Sequence, residues 1–264
     1  MPGSMPVSVD DRILNIDDIY LSFGGINALT GISFDVRRGE ILAIVGPNGA
    51  GKTCLINCIS GFYRPQKGGI YYQDYQLTKL SPSKIAKLGI IRTFQHGELF
   101  LQMTTLDNIM AARHMFMRSG PFSSALYFGP SRKESIRHRR IVEDIIDFLG
   151  LQAVRKKVVG TLSYGWRKRV DMARALALEP KVLLLDEPMA GLSQEAKEYQ
   201  VRYLLDIFQE RGVPLVIIEH DMGVVMDISS RVVVLDFGEK IAEGAADEVM
   251  QHPEVVKAYW GKGR

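Results

Sequence analysis

The feature that most constrains this chain is a glycine-rich segment at residues 46–53, between an apolar run (41–45) and a helix-compatible stretch (54–59). Strand, loop and helix in this order are the setting in which the pattern G-x-x-x-x-G-K-[ST] binds phosphate. Glycines leave room for backbone N–H groups to approach phosphate oxygens, and the positive end of the following helix faces the same anion. The segment therefore predicts a nucleoside triphosphate site, with an ordinary glycine-rich turn as the alternative.

The pattern also assigns roles to individual side chains. Lys52 is placed to reach the β- and γ-phosphates, and the Thr53 hydroxyl to bind Mg²⁺. The residues expected to contact the nucleotide in this segment are Gly46, Pro47, Asn48, Gly49, Ala50, Gly51, Lys52, Thr53 and Cys54.

Composition limits the class of protein. The chain has 264 residues, of which 46% are hydrophobic and 24% charged, so it can bury a substantial core. Its net charge of +3 is too small to indicate nucleic acid as the main partner. No apolar run approaches the ~18 residues that span a bilayer, and the first residues do not resemble a secretory signal. We therefore expect a protein that is soluble by itself and meets a membrane only through a partner.

The two cysteines, Cys54 and Cys58, lie four residues apart on one face of the predicted helix. Helical geometry disfavours a disulfide between them. We expect reduced, buried side chains in a cytoplasmic protein, with a metal pair as a distant alternative.

Apolar periodicity predicts an α/β fold. Short apolar runs predict strands at 12–23, 31–36, 41–45, 69–72, 90–94, 182–185, 215–218 and 232–235, and helices are predicted at 194–210 and 221–228. Alternating strands and helices are typical of a mostly parallel sheet that is covered on both faces. The first two strands form an antiparallel lead-in, and the helical pattern between about 105 and 178 predicts an inserted subdomain.

Two acids end the apolar strand at 182–185. Because parallel sheets present functional residues at the carboxyl ends of their strands, Asp186 should lie beside the phosphate loop. There its carboxylate can help to hold Mg²⁺, and Glu187 can act as a general base toward the attacking water. Surface acids at a capped strand end are the alternative.

These motifs together resemble those of the ATP-binding cassette (ABC) ATPases. Leu162-Ser-Tyr-Gly-Trp166 is similar to the family's Leu-Ser-Gly-Gly-Gln signature, and the other motifs follow in the family's order from about 12 to 261. The matching positions are Phe23, Gln95, Ser163, Tyr164, Gly165, Trp166, the loop 190–193 and His220.

The resemblance implies a P-loop NTPase-type fold, with a flexible lead at 1–11, a single nucleotide-binding domain at 12–262 and a helical subdomain at about 97–178. It implies ATP and Mg²⁺ as cofactors, with Mg²⁺ held by Thr53, Gln95 and Asp186. Glu187, His220 and Gln95 would be catalytic, and Phe23 would stack on adenine. The signature residues 163–166 would contact ATP held by a second ABC ATPase subunit, in a homodimer or a heterodimer.

Two residues depart from the family pattern. Trp166 stands where glutamine is usual, and Ser193 stands where the dimer-contact loop usually has aspartate. Because the phosphate loop, Asp186, Glu187 and His220 remain, we expect hydrolysis with altered protomer contacts. Trp166 could pack on the sugar of the partner's nucleotide.

The C-terminal stretch from Ile218 to Gly261 is similar to the ATPase subunits of branched-chain amino-acid importers. That resemblance implies two transmembrane permease subunits, a solute-binding protein as an indirect partner, no nucleic acid, and a peripheral position on the cytoplasmic face of the cell membrane. A soluble ABC ATPase without a transport role, and a binding-only regulatory half of a heterodimer, remain as alternatives.

The helical subdomain offers the expected docking surface for the permease. Soft apolar side chains there suit a partner's helix, although they could equally fill the subdomain's core. They are Met103, Met110, Met115, Phe116 and Met117. A basic run (Arg132, Lys133, Arg137, Arg139 and Arg140) is best interpreted as a solvated helical face, with proximity to anionic lipid as the alternative.

Overall fold

The structure, a computed structural model, describes residues 11–93, 99–116 and 130–260. The expected lead at 1–11 lies almost wholly outside these residues, and so do Gln95 and Met117.

Two sheets organise the described part of the chain. A four-stranded antiparallel sheet has the order β2-β1-β4-β5, and a six-stranded sheet has the order β10-β9-β3-β8-β7-β6. Within the larger sheet, β9, β3, β8, β7 and β6 are parallel and β10 is antiparallel. The strands are β1 Arg12–Phe23, β2 Ile26–Arg37, β3 Ile41–Val45, β4 Lys67–Tyr72, β5 Tyr75–Gln76, β6 Ile90–Thr93, β7 Val182–Asp186, β8 Leu215–Ile218, β9 Arg231–Asp236 and β10 Glu239–Gly244.

The helices lie between and beyond the strands of the larger sheet. They are α1 Lys52–Ile59, α2 Pro82–Lys87, α3 Thr105–Arg113, α4 Pro130–Phe148, α5 Tyr164–Leu176, α6 Gln194–Arg211, α7 Met222–Ile228, α8 Ala246–Met250 and α9 Pro253–Trp260. Helices α3, α4 and α5 separate β6 from β7, two strands that are neighbours in the sheet. None of the helices in the described ranges is long and apolar enough to cross a membrane.

The parallel strands are buried on both faces, as their continuous apolar sequences predict. All residues of β3, β7 and β8 are buried. One cluster of apolar side chains joins the antiparallel sheet, α1 and α2 to one face of the larger sheet. Two further clusters join the other face to the helical subdomain and to the C-terminal helices. The predicted α/β fold with an antiparallel lead-in is confirmed.

The prediction that the second strand begins at residue 31 was wrong. Strand β2 begins at Ile26, which pairs with Phe23 across a tight turn formed by Gly24 and Gly25. Both glycines have positive φ (54° and 86°), which is the conformation that two-residue hairpin turns require. Helix α2, strand β10 and helices α8 and α9 were not predicted, because each is only five to eight residues long.

A buried arginine ties the helical subdomain to the end of α5. The Nη1 of Arg113 donates to the carbonyl of Ala177 (2.6 Å) and pairs with Glu179 (2.8 Å), while its Nε donates to Nδ1 of His138 (3.1 Å). His138 is 5% exposed. Burial, and secondarily the charge of Arg113, lower the pKa of His138 from its usual 6.5.

This arrangement predicts a pH dependence of stability. Because the pKa of His138 is lower in the folded chain, its contribution is present above the unfolded value of 6.5 and is lost as pH falls below it. We expect the free energy of unfolding to fall more between about pH 7.5 and about pH 5.5 in the wild-type protein than in His138→Asn, whose amide oxygen can accept from Arg113 without titrating.

Urea unfolding at the two pH values measures this difference. His252→Asn, which removes an exposed histidine, is the control and should keep the wild-type pH dependence. An equal pH dependence in His138→Asn and the wild-type protein would contradict the assignment.

Candidate functional site

The phosphate loop leaves β3 with a backbone that only glycine accommodates at key points. Gly46 has φ 152°, and a Cβ on it would lie 2.1 Å from the carbonyl oxygen of Leu235 in β9. Gly49 has φ 83° and nothing within 4 Å of such a Cβ, so the loop is open on that side. The first glycine therefore serves close packing on the sheet, and the second keeps the approach to the backbone N–H groups clear.

The hairpin turn between β9 and β10 supports the loop from behind. The N–H of Gly238 donates to the carbonyl of Ala50 (3.1 Å), and the carbonyl of Gly238 accepts from the N–H of Thr30 (2.8 Å). Tyr259 of α9 lies beside the amide of Gly46, and burial raises its pKa to about 12. The C-terminal part of the chain thus packs against the loop.

Lys52, the first residue of α1, is turned toward the loop's own carbonyls. Its Nζ donates to the carbonyl oxygens of Gly46 (2.6 Å) and Pro47 (2.9 Å), and the residue is 7% exposed. Burial lowers the pKa of Lys52, and the charges of Glu187 and Asp186 act against that shift. Asp186, the last residue of β7, and Glu187, which follows it, therefore lie near enough to Lys52 for their charges to act on it.

Asp186 carries an arginine contact that the sequence analysis missed. Nη2 of Arg92, on the neighbouring strand β6, donates to Oδ2 of Asp186 (2.7 Å), and Asp186 is 4% exposed. The same guanidinium bonds Asn57 of α1 and lies 5.9 Å from the ring centre of Phe62. An arginine within the apolar strand Ile90-Ile91-Arg92 is the signal that could have revealed it, because a buried cation requires an anionic partner.

Glu187 has an unusual backbone and faces His220. Its φ is +48°, a conformation that residues other than glycine rarely adopt, and its N–H donates to the carbonyl of Ile218 (3.0 Å). Nδ1 of His220 lies 3.9 Å from Oε1 of Glu187, with 56% of the histidine side chain and 23% of the glutamate side chain exposed. Both side chains are thus in reach of water and of one another.

Phe23 lies at the surface. Its ring is 47% exposed and meets the ring of Tyr63 edge-on at 5.1 Å. Phe23 is therefore not part of the core, and an exposed face of its ring is available to stack on a base.

The signature residues begin helix α5. Ser163 is the N-cap of the helix, and its side chain makes no capping hydrogen bond. The hydroxyl of Tyr164 donates to the carbonyl of Ala190 in the dimer-contact loop (3.3 Å). A cavity beside the helix N-terminus is lined by Ser163, Gly165, Trp166, Arg169, Leu192, Ser193, Glu195, Ala196, Tyr199, Gln200 and Tyr203.

The two departures from the family pattern have local explanations. The guanidinium of Arg169 lies 4.4 Å from the ring of Trp166 and 4.6 Å from that of Tyr203, so it is stacked between two aromatic side chains. Ser193 is the N-cap of α6, where its hydroxyl accepts from the N–H of Ala196 (3.4 Å). Serine and aspartate cap helices equally well, so the substitution keeps the start of this helix.

The remaining site residues are placed as follows. Cys54 and Cys58 are free thiols, but Cys54 is only half-buried, so the expectation of two buried cysteines was wrong for one of them. Cys54 lies directly after the exposed Thr53 at the start of α1. Among the described residues, no cluster of three or more histidine, cysteine or acidic side chains could hold a metal ion.

Comparison with known proteins fits this geometry. A family model described as "ABC transporter" matches residues 29–190, and one described as "Branched-chain amino acid ATP-binding cassette transporter" matches residues 239–262. The chain belongs to the ABC transporter ATP-binding cassettes. Membership makes the cassette an ATP-binding protein and an ATPase.

The similarity to named relatives extends over nearly the whole chain. The chain is 33% identical over 250 residues to the high-affinity branched-chain amino acid transport ATP-binding protein LivG of Escherichia coli K12, covering 95% of this chain and 98% of LivG. It is 34% identical over 251 residues to the corresponding protein BraF of Pseudomonas aeruginosa, covering 95% and 98%.

Solved structures agree with the fold. The ADP conformation of an ATP-binding cassette of an ABC transporter is similar with a TM-score of 0.82 at 32% identity, over 95% of this chain and 99% of that one. A nucleotide-free cassette gives a TM-score of 0.81 at 32% identity, over 94% and 98%.

The position of Lys52 predicts a nucleotide-binding defect in Lys52→Ala. Charge-assisted hydrogen bonds contribute roughly 1.5–3 kcal/mol each, so we expect ATP affinity to fall by about tenfold or more. Isothermal titration calorimetry with ATP measures the change. Lys84→Ala, which removes an exposed lysine of α2, is the control. Unchanged affinity in the Lys52 variant would contradict the assignment.

Proposed function

We propose that this cassette hydrolyses ATP with Glu187 as the general base and supplies the energy for an importer of branched-chain amino acids. One observation carries the assignment of the site. The carboxyl ends of three neighbouring parallel strands bring together the phosphate loop after β3, the acids at the end of β7 and His220 after β8. This is the edge of a parallel sheet at which such folds bind ligands.

The geometry supports a division of roles between Glu187 and His220. Glu187 would accept the proton of the attacking water, and the imidazole 3.9 Å away would donate to the γ-phosphate or orient the same water. The exposure of both side chains leaves space for that water. The strained backbone of Glu187, fixed by its bond to Ile218, supports the same role, because strain of this kind is concentrated at functional sites.

Magnesium fits the oxygen atoms available at this edge. Thr53 offers a hydroxyl and Asp186 a carboxylate of which one oxygen is bonded to Arg92, and oxygens of these types are what Mg²⁺ prefers. We propose that these two residues hold the ion together with Gln95, which lies outside the described residues. When bound, the ion would neutralise charge on the β- and γ-phosphates. Arg92 holds Asp186 in place for that task.

The signature residues would act on ATP held by a second ABC ATPase subunit. The hydroxyl of Ser163 and the N-terminus of α5, which includes Gly165, form an anion-binding arrangement at the protein surface. Phosphate bound there would bridge two cassettes, and hydrolysis would remove the bridge. Trp166 is held by Arg169 at the same helix start, so it would contact the partner or its nucleotide sugar.

Two findings support the importer class. Relatives named as branched-chain amino acid transport proteins match 95% of this chain, and the C-terminal family model covers β10 and the helices that pack on the larger sheet. We therefore propose two transmembrane permease subunits as partners, a solute-binding protein as an indirect partner, and a peripheral position on the cytoplasmic face of the membrane. The relatives favour this proposal over a soluble ABC ATPase without a transport role.

Some of the side chains predicted to form the docking surface are engaged in contacts inside the protein. Met110 packs against the core, and the ring of Phe116 lies 4.4 Å from the guanidinium of buried Arg113. An exposed apolar patch instead consists of Phe100, Leu101, Met103 and Val158, which are brought together by the bond from Val159 N–H to the Met103 carbonyl (2.9 Å). Arg137, Arg139 and Arg140 are exposed, as a solvated helical face would be. We propose the exposed apolar patch formed by Phe100, Leu101, Met103 and Val158, the permease patch, as the docking surface for the permease.

Reconstitution tests the function directly. The cassette, its co-expressed permease and ATPase partners and the solute-binding protein are placed in proteoliposomes, and uptake of labelled leucine is measured. We expect ATP-dependent uptake, and we expect Glu187→Gln to bind ATP but to lower turnover by at least about a hundredfold, because a positioned general base contributes roughly 10²–10⁴-fold.

The control for this experiment is Glu254→Gln, which changes an exposed acid of α9. Uptake of another solute class in place of leucine, isoleucine and valine would overturn the substrate assignment alone. Unchanged turnover of the assembly with Glu187→Gln would overturn the catalytic assignment and would identify the cassette as a binding-only half.

The permease patch generates a separate prediction. Leu101→Ser combined with Met103→Ser should lower the recovery of permease subunits with the tagged cassette by about tenfold or more, since burying one such side chain contributes roughly 1.5–3 kcal/mol. ATP affinity should not change. Val256→Ser, at an exposed apolar position of α9, is the control. Full recovery of the permease with the double variant would contradict the patch.

A further inference from the structure

The most deeply buried acid near the site is one that the hydrolytic chemistry does not use. Glu219 follows β8 directly and is 1% exposed. A buried carboxylate is costly unless several donors satisfy it, so its contacts indicate what it holds in place. Burial raises the pKa of Glu219, and hydrogen bonds from backbone N–H groups of Met189, His220 and Asp221 act against that shift.

The contacts of Glu219 join two loops that are far apart in sequence. Oε1 accepts from the N–H of Met189 (2.9 Å), immediately before the dimer-contact loop at 190–193. Oε2 accepts from the N–H of His220 (3.2 Å). One carboxylate therefore fixes the backbone of His220 to the segment that leads from Glu187 to the dimer-contact loop.

A second acid on the other side of His220 reaches the same segment. Oδ2 of Asp221 accepts from Nζ of Lys197 (2.6 Å), in the first turns of α6 just after the dimer-contact loop. These two contacts hold the chain on both sides of the loop, at Met189 before residue 190 and at Lys197 after residue 193. His220 lies between these two acids in the sequence, so contacts on both sides of the histidine connect it to the segments that flank the loop.

The dimer-contact loop is in turn in contact with the signature. The hydroxyl of Tyr164 donates to the carbonyl of Ala190 (3.3 Å), and a Cβ on Gly191 would lie 3.2 Å from the Tyr164 ring. A chain of contacts thus runs from the signature residues, through the loop and Glu219, to His220 of the same cassette.

We propose that Glu219 is a positioning residue for hydrolysis, which fixes the backbone of His220 to the segment that leads into the dimer-contact loop. The proposal rests on the function proposed above for His220. Glu219 contacts backbone N–H groups and acts through His220, so its removal should lower kcat for ATP hydrolysis and leave the KM for ATP nearly unchanged.

A double-mutant cycle in the reconstituted transporter tests this role. Glu219→Ala should lower kcat by about tenfold or more, equivalent to about 1.4 kcal/mol of transition-state stabilisation, with KM for ATP within about twofold of the wild-type value. In a His220→Ala background the same substitution should cost less than about twofold, because the residue it positions is already absent. Asp227→Asn, at an exposed acid of α7, is the control and should leave kcat unchanged.

Either of two kinetic results would overturn the proposal. One is an equal loss in the presence and absence of His220. The other is a parallel rise of KM with the loss of kcat, which would indicate general disruption. Glu219→Gln, which keeps the shape and one acceptor oxygen, serves if the alanine variant does not assemble. Absence of turnover in the wild-type transporter would instead count against the proposed function.

Hydrogen–deuterium exchange of the purified cassette tests the tether without turnover. Glu219→Ala should accelerate exchange at residues 189–193 and 220–222 together and leave the phosphate loop unchanged. Acceleration in only one of the two segments would show that the carboxylate does not couple them, whatever the activity.

Discussion

The site depends above all on the parallel alignment of β3, β8 and β7. Their register pairs Ile44 with Ile218 and Ile218 with Asp186, so three chain segments leave the sheet at the same level. The approach of Lys52 to the acids and of His220 to Glu187 follows from that alignment. The apolar residues of these strands create the register by burying both faces of the sheet. The packing of these strands thus determines where the candidate catalytic residues lie.

Two buried charged side chains lie at the edge of the sheet where these strands end. Arg92 enters from β6 to bond Asp186, and Glu219 closes the end of β8 with backbone donors. Each of these side chains has a bonding partner from another strand or loop. Such contacts are worth less as net stability than as a means of fixing one arrangement among several. They make the edge of the sheet a rigid support for the more exposed Glu187 and His220.

The sequence predicted the sheet and most of the site because their signals are strong and local. The apolar strands at 41–45 and 215–218 have the observed bounds, and the phosphate loop lies between the elements its pattern requires. The start of β2 was misplaced because a two-residue glycine turn leaves little trace in hydrophobic periodicity. The partners of Arg92 and Glu219 could not be identified, since each pairing joins residues distant in sequence. Both residues did give a signal, namely a charge adjoining a continuous apolar strand.

The close contact between Gly46 and Leu235 has a consequence for how this protein could evolve. Because the phosphate loop packs against the backbone of β9, its shape depends on a strand that lies almost two hundred residues later in the chain. Tyr259 of α9, in the part of the chain matched by the branched-chain family model, also lies beside the amide of Gly46, so a terminal helix contributes to the same support. Substitutions that displaced β9 or Tyr259 during evolution would therefore also alter the phosphate loop.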